Sequence, residues 1–184
     1  MGYTHYFNLK NNTNLNDIVI KEKYKMAIEL FKECQKYFPN VKLCDWSGEN
    51  EPFFTEFGMF FNGDKSNNLD HESFCLGYDE NNVDYTHGFC KTERKPYDIA
   101  VCCALLSFKE AFEDDFEYSS DGYCMTDYNN LSKENKKNFV FEKEWANALQ
   151  AFKKALNDYF VEDYKSVVFH TKLKYLPKKK VINY

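Results

Sequence analysis

The stretch Phe89-Cys90-Lys91-Thr92-Glu93-Arg94-Lys95-Pro96-Tyr97-Asp98 gathers more chemistry than any other part of the chain. Three cations, Lys91, Arg94 and Lys95, fall within five residues, beside the Thr92 hydroxyl. Arg94 is the only arginine among 24 basic side chains. Its guanidinium presents a planar fork of donors suited to a carboxylate or a phosphate. A strongly apolar helical pattern begins at Pro96, and a helix N-terminus adds unpaired N–H groups and partial positive charge. Both features call for an anion. A solvated charged loop, with Asp98 satisfying the helix end, has the same composition, and that alternative stays open.

Other polar residues fall at predicted strand ends or turns, where core packing does not require them. These are Asn62 in Asn62-Gly63, Glu72 at the mouth of an apolar strand, and Ser120 and Asp121 in Ser119-Ser120-Asp121-Gly122. Strand ends converge on sheet edges, where binding sites are often built. The expectation is a single pocket. Lys91, Thr92, Arg94, Lys95 and the helix end, with Asp98 in its first turn, hold an anionic group. Tyr97, Tyr6 or Phe74 stacks on a ring, and Asn62, Glu72, Ser120 and Asp121 supply polar contacts. His5 shares a strand face with Tyr3, Phe7 and Leu9, as a hydrogen-bonded core histidine does. It is also the candidate general acid or base, partnered by Glu72 or Asp121.

The elements that must position these groups are legible from periodicity. Residues 3–9 alternate as a strand, and Ile18 to Phe38 carries a helical stripe of Tyr24, Ala27, Ile28, Phe31 and Cys34 behind an Asn16 or Asp17 cap. Strands are predicted over Val41–Trp46, Phe54–Gly63, Glu72–Tyr78, Val83–Cys90 and Phe116–Ser120. The helix from Pro96, at its first position, to Phe112 is apolar on nearly every side and should be central. Residues 123–138 read as polar and irregular, and Phe139 to Phe160 as a further helix. Short turns between successive strands imply antiparallel pairing. The fold class is therefore α+β, a mostly antiparallel sheet with about three helices on one face. Residues 1–170 read as one such domain and 171–184 as a basic tail.

Composition narrows the function. The chain has 184 residues, 18 Phe, 14 Tyr and 2 Trp, enough for a full aromatic core. A net charge of −5 argues against general duplex nucleic-acid binding and fits a small anion in a local basic pocket better. No signal peptide is evident and no apolar run reaches membrane-spanning length. Seven cysteines, mostly at apolar periodic positions, fit reduced thiols and a cytoplasmic setting. There is no C-x-x-C, H-E-x-x-H, G-x-G-x-x-G, Walker or G-x-S-x-G pattern, so neither metal nor cofactor is expected.

Taken together and in order, Met1-Gly2-Tyr3-Thr4-His5-Tyr6, Phe61-Asn62-Gly63, Glu72-Ser73-Phe74, Phe89 to Asp98 and Ser119 to Gly122 resemble an uncharacterised family. It occurs in bacteriophages, actinobacteria and some large viruses. Its members open MGYTHYW and carry FNG, ETF and FCKTARKPYD. The resemblance spans roughly residues 1–125. The chain departs from it at Phe7, Ser73 and Glu93, and Glu93 puts a negative charge inside the basic stretch. The resemblance implies a shared site and a viral setting in a host cytoplasm, not a reaction. The reading that follows is a binding protein for a small phosphorylated, nucleotide-like ligand, in a virus a sequestering factor against host signalling. The alternatives are a hydrolase or phosphodiesterase on such a ligand, and an interaction module that docks a host protein.

Overall fold

The computed structural model describes residues 2–10 and 14–163. The predicted basic tail, 171–184, lies outside them. Six strands and four α-helices are described, and the fold is α+β. The strands are β1 (Thr4–Leu9), β2 (Phe53–Thr55), β3 (Gly58–Phe61), β4 (Phe74–Gly77), β5 (His87–Lys91) and β6 (Phe116–Ser120). The helices are α1 (Ile18–Gln35), α2 (Asp98–Phe112), α3 (Met125–Asn130) and α4 (Lys143–Asp163).

Several details of the expected architecture change. The strands form two three-stranded antiparallel sheets, β5-β1-β6 and β2-β3-β4. They adjoin where Glu72 N donates to Lys91 O at 3.1 Å. Val41–Trp46 contributes a single bridge, Cys44 to Asn62, in place of a strand. The Asp45 side chain explains this: it accepts from the backbone N–H groups of Ser47, Glu49 and Asn50 and bends the chain away. In the stretch read as irregular, Asp127 accepts from Cys124 N at 2.9 Å and starts α3.

α1 begins where Asp17 accepts from Val19 N at 2.8 Å, and its predicted stripe is buried. α2 packs against α1 and α4 on its flanks and against β1 and β6 beneath. Its side chains are buried almost all round, as a central helix requires. It opens at Asp98, two residues after the expected Pro96. The chain first passes through two tight turns, Lys95 N to Thr92 O and Asp98 N to Lys95 O. In the first sheet the inward face of β1 carries Tyr3, His5, Phe7 and Leu9, all buried. Burying those apolar groups fixes the register, because a one-residue slip would turn them to solvent. Among the described residues no helix is long and apolar enough to cross a membrane.

Candidate functional site

A chain of buried polar groups lies where α2 meets the first sheet. His5 is wholly buried, and its ring is held from both sides. Nε2 is 2.7 Å from Asp98 Oδ1 and Nδ1 is 2.7 Å from Ser120 Oγ. The Thr92 hydroxyl also donates to Asp98 Oδ1. Trp145 Nε1, from the first turn of α4, donates to Ser120 Oγ at 3.2 Å. Loop, helix, two strands and α4 are thus tied by four side-chain hydrogen bonds. In a neutral ring Nε2–H donates to the carboxylate and Nδ1 accepts from the serine. Hydroxyl, imidazole and carboxylate stand in the order of a proton relay. Yet the imidazole is sealed, and the serine oxygen is already shared with Trp145. Asp121 is close by but serves the sheet: its Oδ2 accepts from Thr4 N at 3.0 Å. Neither Glu72 nor Asp121 is a hydrogen-bond partner of His5, contrary to the pairing expected for acid–base work.

The cations of the 91–95 stretch find partners within the chain, carboxylates for Arg94 and Lys91 and a backbone carbonyl for Lys95. The Arg94 guanidinium lies over the Tyr3 ring, 4.0 Å from its centroid. Its Nη1 reaches Glu142 at 3.1 Å and Glu144 at 3.3 Å. Two carboxylates against one guanidinium make that spot a poor receptor for a further anion. Lys95 Nζ donates to Asn68 O at 2.9 Å. Lys91 Nζ stands 3.6 Å from Glu72, whose other oxygen accepts from Lys91 N at 2.9 Å. Glu93 and Arg94 both take positive φ, 51° and 56°, so the chain turns sharply here. Glu93 points back toward His71 Nε2 at 3.9 Å.

Three expected ligand contacts are structural. Phe74 is buried between Phe7 and Phe61, with centroids at 5.4 and 4.9 Å, so neither ring face is open to a ligand. Tyr97 is equally buried, and its hydroxyl donates to Glu72 O at 2.7 Å. Burial is the main cause that pushes its pKa upward. Asn62 is consumed by local backbone: its amide donates to His71 O and its carbonyl accepts from His71 N and Gly63 N.

Tyr6 answers differently. It lies on the outward face of β1, directly opposite Phe89 on β5 and Ser119 on β6. Tyr6 is 44% exposed and Phe89 56% exposed, with ring centroids 6.5 Å apart. Lys91 Nζ sits 5.6 Å from the Phe89 centroid. Phe89 was not among the ligand contacts expected from sequence, although the period-2 alternation of His87, Phe89 and Lys91 places all three on one face. Cys102 and Tyr3, which border the buried network, also gave no sequence signal.

Most of the predicted residues therefore fall into three places. His5, Thr92, Asp98 and Ser120 meet inside, Asn62, Glu72, Tyr97 and Lys91 meet at the seam of the two sheets, and Tyr6 with Lys91 faces outward. Arg94 and Lys95 lie apart, each with its own partner. Comparison of the chain with family models, curated proteins and solved structures gives no match.

Proposed function

We propose that the open face of the β5-β1-β6 sheet binds a small nucleotide-like anion. The observation that carries this is the side-by-side exposure of Tyr6 and Phe89 with a lysine ammonium over one ring. Single exposed apolar residues are ordinary, but paired rings with a polar rim offer a stacking platform. A base on such a ring gains about 1–3 kcal/mol, whatever its identity. Lys91 would supply the charge for a phosphate by exchanging its exposed Glu72 partner, since such surface pairs contribute about 0–1 kcal/mol. The acidic balance of the chain limits the ligand to a short one. Binding is favoured over turnover because His5, the group a hydrolase would use, has no exposed atom.

Titration with nucleoside mono- and diphosphates, followed by calorimetry and by amide shifts of β1 and β5, tests this. Binding should weaken about ten- to a hundredfold in Phe89→Ala or Tyr6→Ala. Lys91→Ala should lower affinity for the phosphate but not for the free nucleoside. Absence of any shift at millimolar nucleotide overturns the reading, and shifts confined to residues away from the sheet face move the site elsewhere.

A further inference from the structure

Beneath the sheet, independently of that face, a second set of groups converges. His5, Asp98 and Cys102 are all buried, and one potential ligand atom from each lies within 4.8 Å of the other two. Asp98 and Cys102 stand one turn apart on α2, which puts both on one side of the helix. Two atoms at this spot are buried without a hydrogen-bond partner: Asp98 Oδ2 and the Tyr3 hydroxyl. A sealed carboxylate oxygen with nothing to bond is costly, and native structures rarely keep one without a reason. Tyr3 and His5 share the inward face of β1 with their rings edge to face at 5.1 Å, so the phenol lies beside the imidazole.

We infer that His5 Nε2, the Asp98 carboxylate and the Cys102 thiolate form a binding site for a zinc-class divalent ion, with the Tyr3 hydroxyl at its border. The donor set decides the class of ion. One nitrogen, one thiolate sulfur and one carboxylate oxygen suit a borderline-soft cation, and a thiolate disfavours magnesium or calcium. Charge balances as well: a dication between a carboxylate, a thiolate and a neutral imidazole leaves no net buried charge. The surroundings also fit. The ion replaces the proton on Nε2 and takes the unpartnered Asp98 Oδ2 as its carboxylate ligand, so the imidazole must carry its proton on Nδ1. Ser120 Oγ stands 2.7 Å from that nitrogen and can accept from it and from Trp145 together, since a hydroxyl has two lone pairs. The Thr92 hydroxyl steadies the carboxylate by donating to its Oδ1. Such outer partners orient metal-ligating histidines and carboxylates. The 2.7 Å contact between Nε2 and Oδ1 is a hydrogen bond that must open as Nε2 gives its lone pair to the ion and the carboxylate presents Oδ2.

Cobalt(II) is the probe, added to metal-stripped full-length protein. The expected result is one equivalent bound, visible bands of tetrahedral strength and a near-ultraviolet thiolate-to-metal band, all bleached by zinc. In Cys102→Ala, a small-for-small change that leaves the hydrogen-bonded groups intact, the thiolate band should vanish and zinc affinity fall at least tenfold. Zinc should raise the thermal midpoint of the native chain and not that of Cys102→Ala. Asp98→Asn serves as a second variant, its fold checked by circular dichroism. No cobalt bands in the native protein, or a thiolate band that persists in Cys102→Ala, overturns the assignment.

Discussion

The guanidinium of Arg94 lies over the ring of Tyr3 while reaching Glu142 and Glu144 at the entrance of α4. The sole arginine of the chain thereby pins the α4 entrance to the loop before α2. All three carboxylate and guanidinium groups are partly exposed, so the effect on stability is modest. Arg94→Ala should lower stability by about 1 kcal/mol, the sum of a surface cation–π contact and screened ion pairs. Arg94→Lys should keep less than half of it, because a point charge neither stacks flat nor forks. Urea unfolding at low and high salt measures both. Nucleotide affinity should stay within about twofold in Arg94→Ala, since the proposed stacking face excludes this side chain.

Gly63 is a glycine for reasons of space. A Cβ there would sit 2.0 Å from Leu69 O and 2.9 Å from the Tyr97 ring. Neither neighbour can yield, one being backbone and the other a buried ring. Gly63→Ala should cost about 3 kcal/mol by overpacking. Gly88→Ala is the control: its Cβ would meet only the Phe7 ring, at 3.4 Å, and should change stability by no more than about 0.5 kcal/mol. Thermal denaturation of the pair reads the contrast.

Asp64 gives stability an acid limit. Its carboxylate accepts from Ser66 and Asn67 and pairs with Lys42 at 3.1 Å. Those hydrogen bonds, ahead of the lysine, hold its pKa well below the usual carboxylate range. The folded pKa lies below the unfolded one, so its contribution is complete above about pH 4 and disappears as pH falls toward the folded value. Melting curves from pH 6 to pH 2 should show Asp64→Asn less stable at pH 6, with the two proteins drawing together at pH 2.

Cys75 sets an alkaline counterpart. Desolvation pushes its thiol up to about 11. At pH 8 its thiolate fraction should be about a hundredfold below that of an ordinary cysteine, and alkylation correspondingly slow. Here the folded pKa is the higher one. The stabilisation is complete below the unfolded value of about 8.5 and is lost as pH rises through 11. Iodoacetamide labelling of the Cys75 peptide, followed by mass spectrometry from pH 7 to 11 in native buffer and in urea, should show the gap closing only in urea.

Much of the fold could be read from local pattern. The α1 stripe and its Asp17 cap, the all-round apolar α2 and the alternation in β1 each depend on neighbours within a few positions. What escaped depends on distance along the chain. No local rule says that Arg94 finds its anions at Glu142 and Glu144, or that His5 meets Ser120, 115 positions away. The division into two sheets is likewise a matter of long-range register. The same limit shaped the site. Phe74, Tyr97 and Asn62 stand at strand ends or turns as binding residues do, and only the long-range contacts with Phe7 and Phe61, Glu72 and His71 show them occupied. Phe89, at the head of the charged stretch, is on the outward face because β5 pairs with β1.

The central position of β1 has a bearing on assembly. This strand belongs to residues 4–9, yet its two partners are residues 87–91 and 116–120. It has no neighbour to pair with until residues 87–91 have been synthesised, and its second edge waits for 116–120. During translation an aromatic strand therefore stays open on both edges while the first half of the chain emerges, a configuration prone to mispairing. With such distant pairings at its centre, the first sheet should close late, after the local α1 and α2 helices have formed.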